Sequence, residues 1–286
     1  MATTDFMTGR PTQVISVTSG KGGVGKSTLV ANLAVELEKR GRRILVFDGD
    51  LGMSNLDIMF QVRPQRDLSS VLSGEAEIRD ILISVTPSIS LIPGGSGIIE
   101  LQRLPAHSKQ LILDQVSDLG TIYDTMLIDT APGIADHVLY FNSAAQEILI
   151  VLTPDPSSMT DAYALIKVLN QRQRETQFSI VTNQVRDEAD GLKIYRRLES
   201  VVSQFLPVQL QYRGFVPADP YLRQATRGQQ LIARSIPQAE SAQGIARLAE
   251  GLIDSRARLE APYSEGECKG SLQFFWRQLI GSVGVA

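Results

Sequence analysis

Short apolar runs rich in β-branched residues punctuate the chain at Val14–Thr18, Ile44–Phe47, Ile89–Ile92, Thr125–Ile128, Glu147–Leu152, Phe178–Thr182 and Val208–Val216. Between them apolar residues recur at helical spacing, most clearly over Lys26–Arg40, His107–Asp118, Ser158–Gln171, Glu188–Phe205 and Pro237–Leu259. A short continuous apolar run suits a strand buried on both faces, whereas a 3.6-residue period suits a helix with one buried face. Their alternation predicts an α/β fold of three layers, a mainly parallel central sheet with helices on both faces. Ligands of such sheets bind beyond the carboxyl ends of the strands. Periodicity is lost over Ala261–Gly270, where a Gly/Glu/Pro-containing stretch predicts a flexible joint. The expected organisation is a short extension over 1–12, one large domain over 13–260 and a tail over 261–286.

Composition narrows the class. A chain of 286 residues, 43% hydrophobic, is long enough to bury a sizeable core in one domain. Its 28 basic and 31 acidic residues leave a net charge of −3, which argues against a nucleic-acid partner. The single cysteine, Cys268, excludes an internal disulfide and a self-contained Cys-based metal site. Met1–Pro11 is polar and lacks the apolar segment of a signal peptide, and no apolar stretch is long enough to cross a bilayer. These features predict a cytoplasmic protein, or a peripheral one.

The chemistry concentrates in Gly20-Lys21-Gly22-Gly23-Val24-Gly25-Lys26-Ser27, which lies between a predicted strand and a predicted helix. Glycines let the backbone curl so that successive N–H groups face phosphates, and the helix start adds its positive dipole end. In such a phosphate-binding loop Lys26 reaches the β- and γ-phosphates, and Ser27 gives its hydroxyl to Mg²⁺. Two further strands end in acids, Asp48 and Asp50 after the second, Asp129 at the end of Met126–Asp129. Carboxylates at strand ends beside such a loop face the phosphates, where Mg²⁺ offsets the gathered charge. Asp129 fits the acid that holds Mg²⁺ through water, and Gly133 gives the backbone access to the γ-phosphate. Asp50 is the candidate to orient the attacking water, with Asp48 supporting that loop or the metal shell. Lys21 has no part in this minimal scheme. If two copies face each other across their nucleotides, each Lys21 reaches the partner's phosphates and supplies the cation that phosphoryl transfer needs.

The run Lys21–Ser27 resembles the deviant Walker A motif of the MinD/ParA ATPases, Asp48–Asp57 resembles their second motif, and Asp129–Ile134 their Walker B. The run Pro156–Lys167 resembles the flagellar-number branch of that family (FlhG/FleN), and the cell-division branch reads differently there. The likeness spans about Gln13 to Leu252. It implies ATP/ADP and Mg²⁺ as cofactors, an ATP-dependent homodimer, and hydrolysis that resets partner or membrane binding. It makes Lys21 the trans-acting lysine, puts Thr28 on the α-phosphate and Asn183 on adenine, and has Pro217 to Asp219 line the base pocket. The partners it implies are an FlhF-like GTPase, a flagellar transcription activator or the basal-body switch proteins, at the membrane's inner face or the cell pole. Alternatives remain a MinD-type division or cargo-positioning ATPase, and an anti-activator for which ATP is only a conformational ligand. Gly49 departs from the usual alanine, a change expected to loosen the loop that bears Asp50. Met1–Pro11 lacks the motif with which some members activate FlhF. One cysteine excludes the iron–sulfur carrier and nitrogenase-reductase branches.

In the tail, Leu272, Phe275, Trp276, Leu279, Ile280 and Val283 form one apolar stripe of a helix. Peripheral membrane contact through Leu272–Val283 is one expectation, weak per copy because only Lys269 and Arg277 are basic, and stronger for two tails on a dimer. Packing back on the body, or docking on a partner, are the others.

Overall fold

The structure is a computed structural model that describes residues 12–50, 55–95, 106–258 and 271–281. The predicted strands and helices form at the expected places. Strands β1 (Gln13–Thr18), β2 (Ile44–Gly49), β3 (Ile83–Ser84), β4 (Ile89–Ile92), β5 (Thr125–Thr130), β6 (Glu147–Leu152), β7 (Gln177–Val185) and β8 (Gln209–Pro217) make one 8-stranded sheet in the order β3-β4-β2-β5-β1-β6-β7-β8. All neighbours are parallel except the short edge pair β3–β4. Strands β1, β2, β5 and β6 are buried at every position, which is why they read as unbroken apolar runs.

The helices are α1 (Lys26–Lys39), α2 (Leu56–Phe60), α3 (Leu68–Leu72), α4 (Ala106–Leu119), α5 (Asp136–Ala144), α6 (Pro156–Gln173), α7 (Glu188–Phe205), α8 (Pro220–Arg227), α9 (Ile232–Ser235), α10 (Glu240–Arg258) and α11 (Leu272–Gly281). One face of the sheet is covered by α1, α9 and α10, through Leu33, Leu37, Ile245 and Leu248. The other carries two clusters, one joining β1, β2 and β5 to α4, α5 and α11, the second joining β6 and β7 to α6 and α7. At the carboxyl ends of the central strands the loops 19–25 and 131–135 lie together, with Asp50 just after β2 beside them.

The tail helix forms, and the alternatives for its stripe resolve in one direction. Leu272, Phe275, Trp276, Leu279 and Ile280 are buried against the sheet, with the Phe275 ring 6.1 Å from Phe141 and 5.9 Å from Phe47. These five residues of the stripe therefore face the protein's own core, and among the described residues of the stripe none is left free for a bilayer. Exposing such a face costs about 1.5–3 kcal/mol per large side chain, and it would bare Phe47 and Phe141 as well. The joint over Ala261–Gly270, Val283 and the extension over 1–11 lie outside the described residues. Among the described residues, no helix is long and apolar enough to cross a membrane.

Gly49 corrects another expectation. It lies inside β2, paired in register with Thr130. A Cβ there would sit 2.9 Å from both the Asp129 carbonyl oxygen and the Phe141 ring. Glycine serves close packing of Phe141 beneath the Asp50 loop, not looseness.

Candidate nucleotide site

The loop between β1 and α1 has the curl its glycines predict. Gly23 and Gly25 take φ of 77° and 93°, left-handed values that other residues rarely adopt. A side chain at Gly25 would also collide with Asn183 Nδ2, 2.5 Å away. Gly22 and Gly23 are exposed, Val24 is buried beneath them, and Ser27 and Thr28 stand half-buried in the first turn of α1. That open helix start, without a side-chain cap, leaves N–H groups for an anion.

Lys26 is 7% exposed and donates from Nζ to Ser19 Oγ at 3.1 Å. Burial lowers its pKa, opposed by attraction to Asp129 and Asp50. Asp129 is 1% exposed. Burial pushes its carboxyl from 3.8 up to about 7, against a hydrogen bond from the Ser27 side chain; Asp48 pushes up, Lys26 down and Asp50 up again. Among the described residues, Asp129 Oδ1 has no hydrogen-bond partner. An orphaned buried carboxylate oxygen, a hydroxyl beside it and a surplus of negative charge fit a hard divalent cation such as Mg²⁺. Among the described residues no set of three or more His, Cys, Asp and Glu side chains forms a metal cage. Ser27 and Asp129, hydrogen-bonded to each other and within electrostatic reach of Asp50, are the candidates to hold Mg²⁺.

Asp48 is 1% exposed and supports Asp50, whose backbone N–H donates to Asp48 Oδ1 at 3.2 Å. Gly94, after β4, packs on Asp48 so closely that a Cβ would lie 3.0 Å from its carbonyl oxygen. Gly133 has φ 97° with open space where a Cβ would stand, and its N–H donates to Ser19 O at 2.9 Å. The two phosphate-facing segments are thus tied to each other by backbone.

The remaining predicted residues are placed less simply. Asn183, at the end of β7, donates from Nδ2 to Val24 O at 2.7 Å and accepts from Gln184 N at 2.9 Å. It borders the loop, with a second amide hydrogen left for a ligand. Pro217 closes β8 and is buried. The side chain of Asp219 is engaged by the protein itself. Its Oδ1 accepts from Tyr221 N at 2.8 Å, and its Oδ2 accepts from Ser241 Oγ at 2.8 Å and Ser241 N at 3.1 Å. One carboxylate caps both α8 and the start of α10, and these donors hold its pKa down against burial.

Lys21 turns away from its own loop. Its Nζ pairs with Asp155 and donates to Ser157 Oγ at 2.6 Å, both at the start of α6. Lys21, followed by the backbone and side chain of Ser157, holds the Asp155 carboxyl down to about 2. The run from Pro156 thus anchors this lysine through Ser157, together with Asp155 just before it.

Residues 12–182 match a family model described as an AAA domain. The antiactivator FleN of Pseudomonas aeruginosa is 36% identical over 270 residues, covering 94% of each chain. The flagellum site-determining protein YlxH of Helicobacter pylori is 34% identical over 278 residues, covering 96% of this chain and 91% of that one. Among solved structures, the septum site-determining protein MinD of Pyrococcus horikoshii complexed with Mg-ADP matches with a TM-score of 0.65 and 27% identity, covering 88% of this chain and 100% of that one.

Proposed function

This chain belongs to the MinD/ParA-type P-loop ATPases, in the branch of the flagellar regulators FleN and YlxH, and from that premise we propose that it is a Mg-ATP-dependent dimerising switch controlling flagellar number or placement. The observation that carries the dimer is Lys21. A cation at the mouth of a phosphate loop, held by Asp155 and Ser157 of its own chain, does nothing for its own phosphates. Moving to a facing copy, it gains a stronger anion there, so ATP in one copy recruits the lysine of the other.

Within each site the reading assigns one role per residue. The N–H groups of Gly22 to Thr28 and the Lys26 ammonium bind and orient the phosphates. Ser27 and Asp129 hold Mg²⁺, which when bound offsets charge on the β- and γ-phosphates. Asp50 orients the attacking water, with Asp48 fixing its backbone. Lys21 from the partner stabilises charge on the transferring group, so hydrolysis waits for pairing and then dissolves it. Asn183 and the 217–219 backbone border the adenine.

A groove of about 810 Å³ supports a regulated protein partner: Met159 of α6 and Leu192 and Val201 of α7 lie beside Lys193, Arg196 and Arg197. None of these three cations forms a direct ion pair among the described residues, and the pattern suits an acidic amphipathic segment. An FlhF-like GTPase, a flagellar transcription activator and a basal-body switch protein are the candidates. Contact with the membrane or the pole through the tail requires α11 to leave its seat.

Sedimentation in Mg-ATP tests the switch. Asp50→Ala should accumulate as a dimer and Lys21→Ala should stay monomeric with little turnover. A Lys21→Ala protein that dimerises and hydrolyses like the wild type refutes it. In the host, a normal flagellar count with Asp50→Ala would favour ATP as a mere conformational ligand.

A further inference from the structure

The sheet face beneath α5 is apolar except in one place. Ser16 and Thr18 of β1 and Thr130 at the end of β5 are buried there, roofed by Asn142 of α5, which is 0% exposed. Ser16 Oγ donates to Asn142 Oδ1 at 2.8 Å, Asn142 Nδ2 donates to Thr18 Oγ1 at 3.3 Å, and the Thr18 and Thr130 hydroxyls lie 3.0 Å apart. The amide nitrogen also donates to Val138 O at 2.8 Å within the helix. Apolar side chains would fill this space with less desolvation. What a satisfied polar chain adds is a single relative position for the elements it joins.

Those elements are the ones that carry the site. Strand β1 runs directly into the phosphate loop, and β5 carries Asp129. Helix α5 starts where the segment 131–135 ends, and that segment holds Gly133 against Ser19. A slip of α5 along the sheet would displace 131–135 relative to Ser27 and Asp129. We propose that Asn142 is a positioning residue for ATP hydrolysis: by tying α5 to the hydroxyls at the ends of β1 and β5, it fixes the phosphate-facing segment 131–135 against the loop and the metal-holding acid. The inference rests on the ATPase reading proposed above, dimer-dependent hydrolysis included, and needs no flagellar role.

The test is steady-state hydrolysis by the full chain in Mg-ATP, with the thermal midpoint measured alongside. Asn142→Val should lower kcat about tenfold or more, because small misplacements of reacting groups are costly, while KM moves less than about threefold. Leu139→Ala is the control: equally buried on the same helix but packed on the apolar cluster with β6, it should lower the midpoint and leave kcat per folded molecule intact. Ser16→Ala should lower kcat in the same direction by a smaller factor, and its effect should not add to that of Asn142→Val. The proposal is overturned if kcat of Asn142→Val stays within about twofold of the wild type, or if Leu139→Ala loses as much. Should Asn142→Val not fold, Ser16→Ala decides alone, and an unchanged kcat overturns the proposal. A wild-type chain that fails to hydrolyse ATP would instead strike at the ATPase assignment itself.

Discussion

Without nucleotide or Mg²⁺, replacing Asp129 by Asn should make the protein more stable at pH 8 while abolishing hydrolysis. Burial raises the carboxyl from 3.8 to about 7, the Ser27 hydrogen bond and Lys26 failing to offset burial and the neighbouring carboxylates. An unfolded chain releases this proton near the ordinary value, whereas the folded one keeps it until near neutrality. Between those points the unfolded state binds fewer protons, so stability is full below the lower pKa, falls as pH rises through the window, and is flat above it. About three pH units at ~1.4 kcal/mol each set a penalty on the order of 4 kcal/mol in alkaline solution. That is an upper bound on the gain, since Asn must find its own hydrogen bonds and Lys26 loses a partner. Asn carries no such proton, so the gap between variant and wild type should open from near zero around pH 4 to its full size by pH 8. Urea unfolding with chelator across that range measures it, and Mg-ADP should then stabilise the wild type more than the variant. A variant no more stable than wild type at pH 8, or a gap that does not narrow on acidification, refutes the reasoning.

Two other outcomes follow from contacts already described. Asp155→Ala frees Lys21 and removes a helix cap, so the thermal midpoint should fall slightly while the dimer fraction in Mg-ATP rises; an equal or smaller dimer fraction counts against the restraint. Phe275→Ala removes a ring buried among Phe47, Phe141 and Trp276, a loss of about 3–5 kcal/mol for a core Phe. Because Trp276 is the only tryptophan, its emission should shift red; unchanged emission and unfolding midpoint would show that the tail is not seated there.

The sheet was legible because strands covered on both sides must be apolar throughout, and the phosphate loop because its glycines have no substitute at left-handed φ. The smaller elements were not. Strand β3 has only 2 residues, and α2 and α3 have 5 each, too few for a period to emerge. Helix α5 was missed because a fully buried Asn142 interrupts its apolar pattern; burial of a hydrogen-bonded amide looks in sequence like exposure. The partner of Lys21 lies 134 residues away, beyond any local rule. Asp219 was readable: an Asp followed by Pro220 at a helix start is a cap signature. The tail's apolar stripe was correct as a pattern, but a pattern does not say whether lipid or protein covers it.

Where 217–219 borders the nucleotide as proposed, the double cap at Asp219 makes that wall of the cleft stiffer than the 131–135 wall. Because one carboxylate fastens the starts of α8 and α10 together, the 217–219 side cannot tilt without breaking both. The 131–135 side is anchored at the end by one backbone hydrogen bond to Ser19 and at depth by a single amide. A small molecule that leans on the stiff wall should bind every nucleotide state alike, and so would block the protein without biasing it. One that reaches the yielding wall would prefer one state and could hold the protein on or off. Selective control of this ATPase by a designed ligand therefore lies on the Gly133 side of the cleft.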